Sequence, residues 1–62
     1  MTPEAIKRLR KVLGLTQEQF GREIGANRVT VADWEAGAHQ PRGLYLEALT
    51  ELAEKAKRKA RR

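Results

Sequence analysis

The chain has no cysteine and no serine, and it carries one residue each of His, Trp, Tyr and Phe. Without cysteine, no disulfide or thiolate metal site can staple the fold, so helix packing must supply its stability. The same lack fits a reducing cytoplasm. With neither Ser nor Cys, a lone His39 and no cluster of metal ligands, no nucleophile–base pair or metal centre can be drawn. The chain is therefore expected not to be an enzyme, and to take no cofactor and no small-molecule substrate. Long apolar runs are missing as well. No stretch approaches the ~20 apolar residues that span a bilayer, and no apolar run follows Met1-Thr2-Pro3-Glu4 as in a signal peptide. A soluble protein without a membrane partner is expected.

Charge is abundant but unevenly placed. Of the 62 residues, 13 are Lys or Arg and 8 are Asp or Glu, a net charge of +5. Residues 1–54 hold seven of the cations and all eight acids, a balance of −1. Residues 55–62 hold the other six cations and no acid. High net charge is thus a property of the tail. Such a tail serves as a solvated helix end or as a non-specific phosphate contact. On this division residues 1–54 are expected to form the folded domain and 55–62 a basic end to its last helix. A domain of this length buries only ~60% of the surface its unfolded chain exposes, so its core must be small.

The periodicity is helical throughout, and an all-α fold is expected. Pro3 suits the first turn of a helix, with Thr2 as its cap and Glu4 at the positive end of its dipole. Ile6, Leu9 and Leu13 fall on one face, flanked by Ala5 and Val12. Gly14 ends that helix. Thr16 and Gln19 have the spacing of a capping box for a second helix, on which Phe20 and Ile24 are four apart. At about eight residues this helix is too short to persist alone. Asn27 is a good cap for a third helix spanning about 27–35, with Val31 and Trp34 pointing inward. The turn of about three residues around Gly25 forces the second and third helices to cross steeply. A Pro- and Gly-containing loop, 38–43, leads to a last helix from Leu44. Leu46, Leu49, Leu52 and Ala53 are expected to form its apolar stripe, extended by Leu44, Ala48 and Ala56. Glu51–Lys55 and Glu54–Arg58 are spaced for support along the same helix. Trp34 and Phe20 are committed to the core, which leaves no aromatic surface on which single-stranded RNA could stack.

The run Leu15-Thr-Gln-Glu-Gln-Phe-Gly-Arg-Glu-Ile-Gly-Ala-Asn-Arg-Val-Thr-Val-Ala-Asp-Trp-Glu-Ala-Gly37 resembles the helix-turn-helix of lambdoid phage repressors, Cro proteins and the wider Xre-like regulators. Arg10, the Leu-Thr-Gln start, the Trp-Glu-Ala-Gly close and Pro41 also match, so the likeness covers about two thirds of the chain. It implies a compact four- to five-helix lambda-repressor-like bundle that binds double-stranded DNA as a transcriptional regulator or repressor in the cytoplasm, at the nucleoid. A protein-interaction module of the same fold that does not read DNA is the alternative. The interior Gly21 costs about 1 kcal/mol against Ala, and is tolerable if the backbone of the third helix passes close by. Gly25 supplies the left-handed turn.

The resemblance also assigns roles. Arg10 and Glu35 match a partly buried ion pair that fixes the angle of the reading helix. Arg28, Val29, Ala32 and Asp33 are the expected base-contacting positions, and Gln17, Asn27, Thr30 and Arg42 the phosphate-contacting ones. Arg28 can bond a guanine through O6 and N7, and Val29 can pack on a thymine methyl. Gln17 opens the second helix, where a phosphate is welcome. Thr30 contacts phosphate or caps. Asp33 can accept from cytosine N4 or hold Arg28 or Asn27 in place, and the positioning role is expected because phosphates repel a carboxylate. Relatives usually bind paired half-sites as dimers. One longer helix after Leu44, in place of the family's two short ones, leaves homodimer and monomer both open. Its Ala/Glu/Lys/Arg-rich composition also suits a minimal designed binder.

Overall fold

A computed structural model describes residues 1–60 and contains four helices: α1 (Pro3–Leu13), α2 (Gln17–Ile24), α3 (Arg28–Ala36) and α4 (Leu44–Ala60). There is no strand among the described residues. The expected basic tail falls partly within α4, while Arg61 and Arg62 lie outside the described residues.

Each of the first three helices starts on a side-chain cap. The Thr2 hydroxyl accepts from the Ala5 N–H at 3.1 Å. At α2 the Thr16 hydroxyl accepts from the Gln19 N–H at 3.1 Å, and the Gln19 side-chain oxygen accepts from the Thr16 N–H at 3.0 Å. The Asn27 side-chain oxygen accepts from the Thr30 N–H at 2.8 Å. Each such cap satisfies a helix-end donor that would otherwise lack a partner. Asn27 is therefore the cap and not the first turn of α3, which runs one residue beyond the expected end, to Ala36.

All four helices contribute to one core: Ile6 and Leu9 from α1, Phe20 and Ile24 from α2, Val31 and Trp34 from α3, and Leu49, Leu52 and Ala56 from α4. Phe20, Ile6, Leu49 and Val31 are the largest of its fully buried side chains. Each contributes roughly 1.5–3 kcal/mol by leaving water. This is what holds the eight-residue α2, which has too few internal hydrogen bonds to persist alone. Ala56 packs in this core even though it lies past residue 54.

Helix α4 buries Leu49, Leu52 and Ala56 as expected, with Ala48 and Ala53 packed against the core, and its apolar stripe departs from expectation only in its first turn. Leu44 is 81% exposed and Leu46 is 39% exposed. The inward stripe is Leu49, Leu52 and Ala56, at spacings of three and four, and Tyr45, 38% exposed, extends that line one turn back. Leu44 falls more than 100° around the helix from Leu49 at ~100° per residue, and Leu46 sits at the edge of the stripe. Tyr45 takes the place given to Leu44, with its ring edge-on to Trp34 at 5.3 Å between centroids and 66° between planes. The expected Glu51–Lys55 and Glu54–Arg58 pairs do not form. The one pair at that spacing among the described residues is Glu18–Arg22, at 3.3 Å. Exposed pairs of this kind contribute a few tenths of a kcal/mol at most, so solvation competes with them. No helix among the described residues is long and apolar enough to cross a membrane.

Candidate nucleic-acid interface

The geometry of α2 and α3 starts with two glycines. Gly25 ends α2 at φ 78° and ψ 24°, in the left-handed region that costs a side-chain-bearing residue ~1–2 kcal/mol. The Ala26 N–H then donates to the Gly21 carbonyl at 2.8 Å, folding the turn back over α2. A Cβ built on Gly21 would overlap the Ala26 carbonyl oxygen and lie 3.1 Å from its carbonyl carbon. The close neighbour of Gly21 is thus the turn leading into α3, not the body of α3. Hydrogen at position 21 sets how tightly the turn closes.

A polar brace fixes α3 from the other side. Arg10 donates through Nε to Glu35 Oε2 at 2.7 Å and through Nη2 to Glu35 Oε1 at 3.1 Å. Its Nη1 donates to the Leu15 carbonyl at 3.1 Å. Gln17, the first residue of α2, donates its amide to Glu35 Oε1 at 3.2 Å. One carboxylate on α3 is therefore held by α1 and by the start of α2, and the same guanidinium ties down the loop between those helices. The side chains of Arg10 and Glu35 are 20% and 5% exposed. Burial pushes the Glu35 carboxyl up. The hydrogen bonds from Arg10 and Gln17 and the charges of Arg10 and Lys7 outweigh it, so the group sits below the usual carboxylate value. The hydrogen bond to Glu35 raises the Arg10 guanidinium against the opposing effect of burial. Both groups stay charged at neutral pH, and the brace is a positioning device with no proton to exchange.

With Val31, Trp34 and Glu35 buried, α3 turns its other face outward. Asn27, Arg28 and Val29 are exposed on that face, and Thr30, Ala32 and Asp33 are half-buried along it. Val29 is 57% exposed, the most exposed large apolar residue of α3. Arg42 is exposed in the loop after the buried Pro41. It rims, with His39 and Gln40, an open hollow floored by Trp34 and Tyr45. The loop is anchored to α3 by the Asp33 carbonyl, which accepts from the N–H groups of Ala38 at 2.9 Å and His39 at 3.4 Å.

The expected site residues thus divide into three groups. Arg28, Val29, Ala32 and Asp33 share the outer face of α3, with Asn27 and Thr30 at its start. Gln17 stands at the head of α2 with its amide already engaged by Glu35. Arg42 stands on the following loop and lines a shallow hollow with Ile24 and Gly25 at the end of α2. No hydrogen bond or ion pair joins the Asp33 side chain to Arg28 or Asn27 among the described residues, so the positioning role expected for it has no contact behind it. Sequence reasoning missed the bond from Gln17 to Glu35 and the bond from Arg10 to Leu15. A signal for the second existed: a guanidinium has five donors, and a two-pronged pair with a carboxylate uses only two.

Residues 6–56 match the model of a family described as helix-turn-helix. The match runs from the first core residue of α1 to the last of α4. No curated protein matches the chain.

Proposed function

The chain belongs to the helix-turn-helix family of DNA-binding regulators, and we propose that it reads double-stranded DNA by sequence, laying α3 in the major groove. The observation that carries this reading is the outer face of α3. It puts a cation, Arg28, beside an exposed β-branched residue, Val29, on a helix braced through Arg10, Gln17 and Glu35. An exposed apolar side chain gains nothing in water, but it gains a partner against a thymine methyl. Arg28 reads guanine through O6 and N7, Val29 and Ala32 pack on the groove floor, and Asp33 accepts from cytosine N4. The free amide N–H groups of Asn27, the Thr30 hydroxyl, the head of α2 at Gln17 and the Arg42 guanidinium hold the neighbouring phosphates and set the register. The protein works where the genome is, as a transcriptional regulator, and its folded domain runs at least to Ala56.

Selection from a pool of random duplexes tests this. The reading requires an enriched motif of a few base pairs. Recovery of duplexes with no common motif, at unchanged overall affinity, would show phosphate binding without reading. Sedimentation of the protein with a selected duplex then counts the copies per site.

A further inference from the structure

We propose that the groove between α1 and the second half of α4 is a docking surface for an acidic amphipathic helix of a partner protein. Its floor is apolar: Ala5, Leu9 and Val12 from α1, and Ala53 and Ala56 from α4. Three of these five are alanines, too small to fill the space between the two helices, and a hollow of about 280 Å³ is left open. Within that floor Val12 is 59% exposed, the most exposed large apolar residue of α1. Neither the core nor the proposed DNA face uses it.

Charge selects the occupant. The charged residues lining the groove are Arg8 and Lys57, one from each helix, with no carboxylate between them. The ion pairs among the described residues, Arg10–Glu35 and Glu18–Arg22, use neither. Next to the groove, α1 adds Lys7 and Lys11 against a single acid, Glu4. A nucleic-acid backbone would satisfy these cations but gain nothing from the apolar floor. A helix with apolar residues at i, i+3, i+4 and i+7, flanked by Glu or Asp, satisfies both at once. A floor of five residues is far below the roughly 20–30 residues a side of a standard stable interface, so the complex is weak and transient. None of the lining residues belongs to the proposed DNA face, so partner and DNA can be held together.

The test is an amide chemical-shift titration of the full chain with two synthetic 16-residue helical peptides. Both carry the same leucine face; one is flanked by Glu and the other by Lys. The acidic peptide should give saturable shifts confined to the neighbourhood of residues 5–12 and 53–57, and the basic one none. Val12→Glu should weaken the acidic peptide at least tenfold. Arg8→Glu combined with Lys57→Glu, at exposed positions, should reverse the preference toward the lysine peptide. Unchanged Trp34 fluorescence in each variant shows that the core is intact. Absence of saturable shifts with the acidic peptide would overturn the proposal. So would equal shifts with both peptides, shifts centred on α3, or groove shifts of the same size on adding a random duplex.

Discussion

Replacing Arg10 by Met keeps much of the side chain's volume and removes all three of its hydrogen bonds. Glu35, with its side chain 5% exposed, then holds a charge against a single remaining donor, the Gln17 amide at 3.2 Å. Breaking one side of a buried pair costs ~3–5 kcal/mol. The 20% exposure of Arg10 lets water repair part of the loss, which puts the cost near about 3 kcal/mol. Domains carry ~0.05–0.15 kcal/mol of stability per residue, so a chain of 62 residues has roughly 3–9 kcal/mol to lose. The variant should lose a third or more of its stability, with Tm lowered by roughly 12–24 °C at ~4–8 °C per kcal/mol. Urea unfolding followed by the fluorescence of Trp34 measures this. The pH dependence makes the test sharper. In the parent the folded Glu35 carboxyl lies below its ordinary value, so the brace stabilises above the unfolded carboxylate pKa and is lost as pH falls through the lower folded value. In Arg10→Met, burial is opposed only by the Gln17 hydrogen bond and the Lys7 charge, so the folded carboxyl rises relative to the parent, and the penalty is greatest at neutral pH and shrinks as the group takes up a proton. The gap between parent and variant should therefore narrow from pH 7 toward pH 4. The double variant Arg10→Met/Glu35→Leu should recover most of the loss. A cost below ~1 kcal/mol at pH 7, or a gap that does not change with pH, would mean that Arg10 does not hold a buried Glu35 charge.

Three further outcomes follow from named contacts. Gly21→Ala should destabilise by ~1–3 kcal/mol in urea, although Ala is the better helix former, because its methyl group meets the Ala26 carbonyl. Leu49→Ala should cost ~2–5 kcal/mol, whereas Leu44→Ala, at 81% exposure, should stay within about 0.5 kcal/mol in the same assay. Asn27→Ala should lose ~1 kcal/mol from the cap of α3 and also weaken DNA binding in a filter or anisotropy assay.

Local chemistry made the first three helices legible. Thr2, Thr16 and Asn27 are caps by residue type, and Gly14, Gly25 and Gly37 stand where the chain must leave each helix, so spacing alone placed those boundaries within a residue. Helix α4 was harder. Apolar residues occupy 44, 45, 46, 48, 49, 52 and 53, so nearly every face of its first two turns looks buried, and only packing against Trp34 selects Tyr45 over Leu44. The ion pair joins residues 25 apart in sequence, a distance across which periodicity says nothing; family resemblance alone suggested it. Gln17 shows the limit of that resemblance. A residue expected at phosphate also completes the brace, because the head of α2 lies against the end of α3.

Reading by α3 differs from phosphate holding in that it depends on the base pair met. The most direct measurement compares the parent and Arg28→Ala on a selected duplex and on every single-base-pair substitution of it, at fixed salt. Arg28→Ala should lose ~1–3 kcal/mol on the selected duplex, about 5- to 150-fold in Kd, and become indifferent to one base pair while keeping its preferences at the others. A uniform loss across all duplexes, with every preference intact, would contradict base reading by α3.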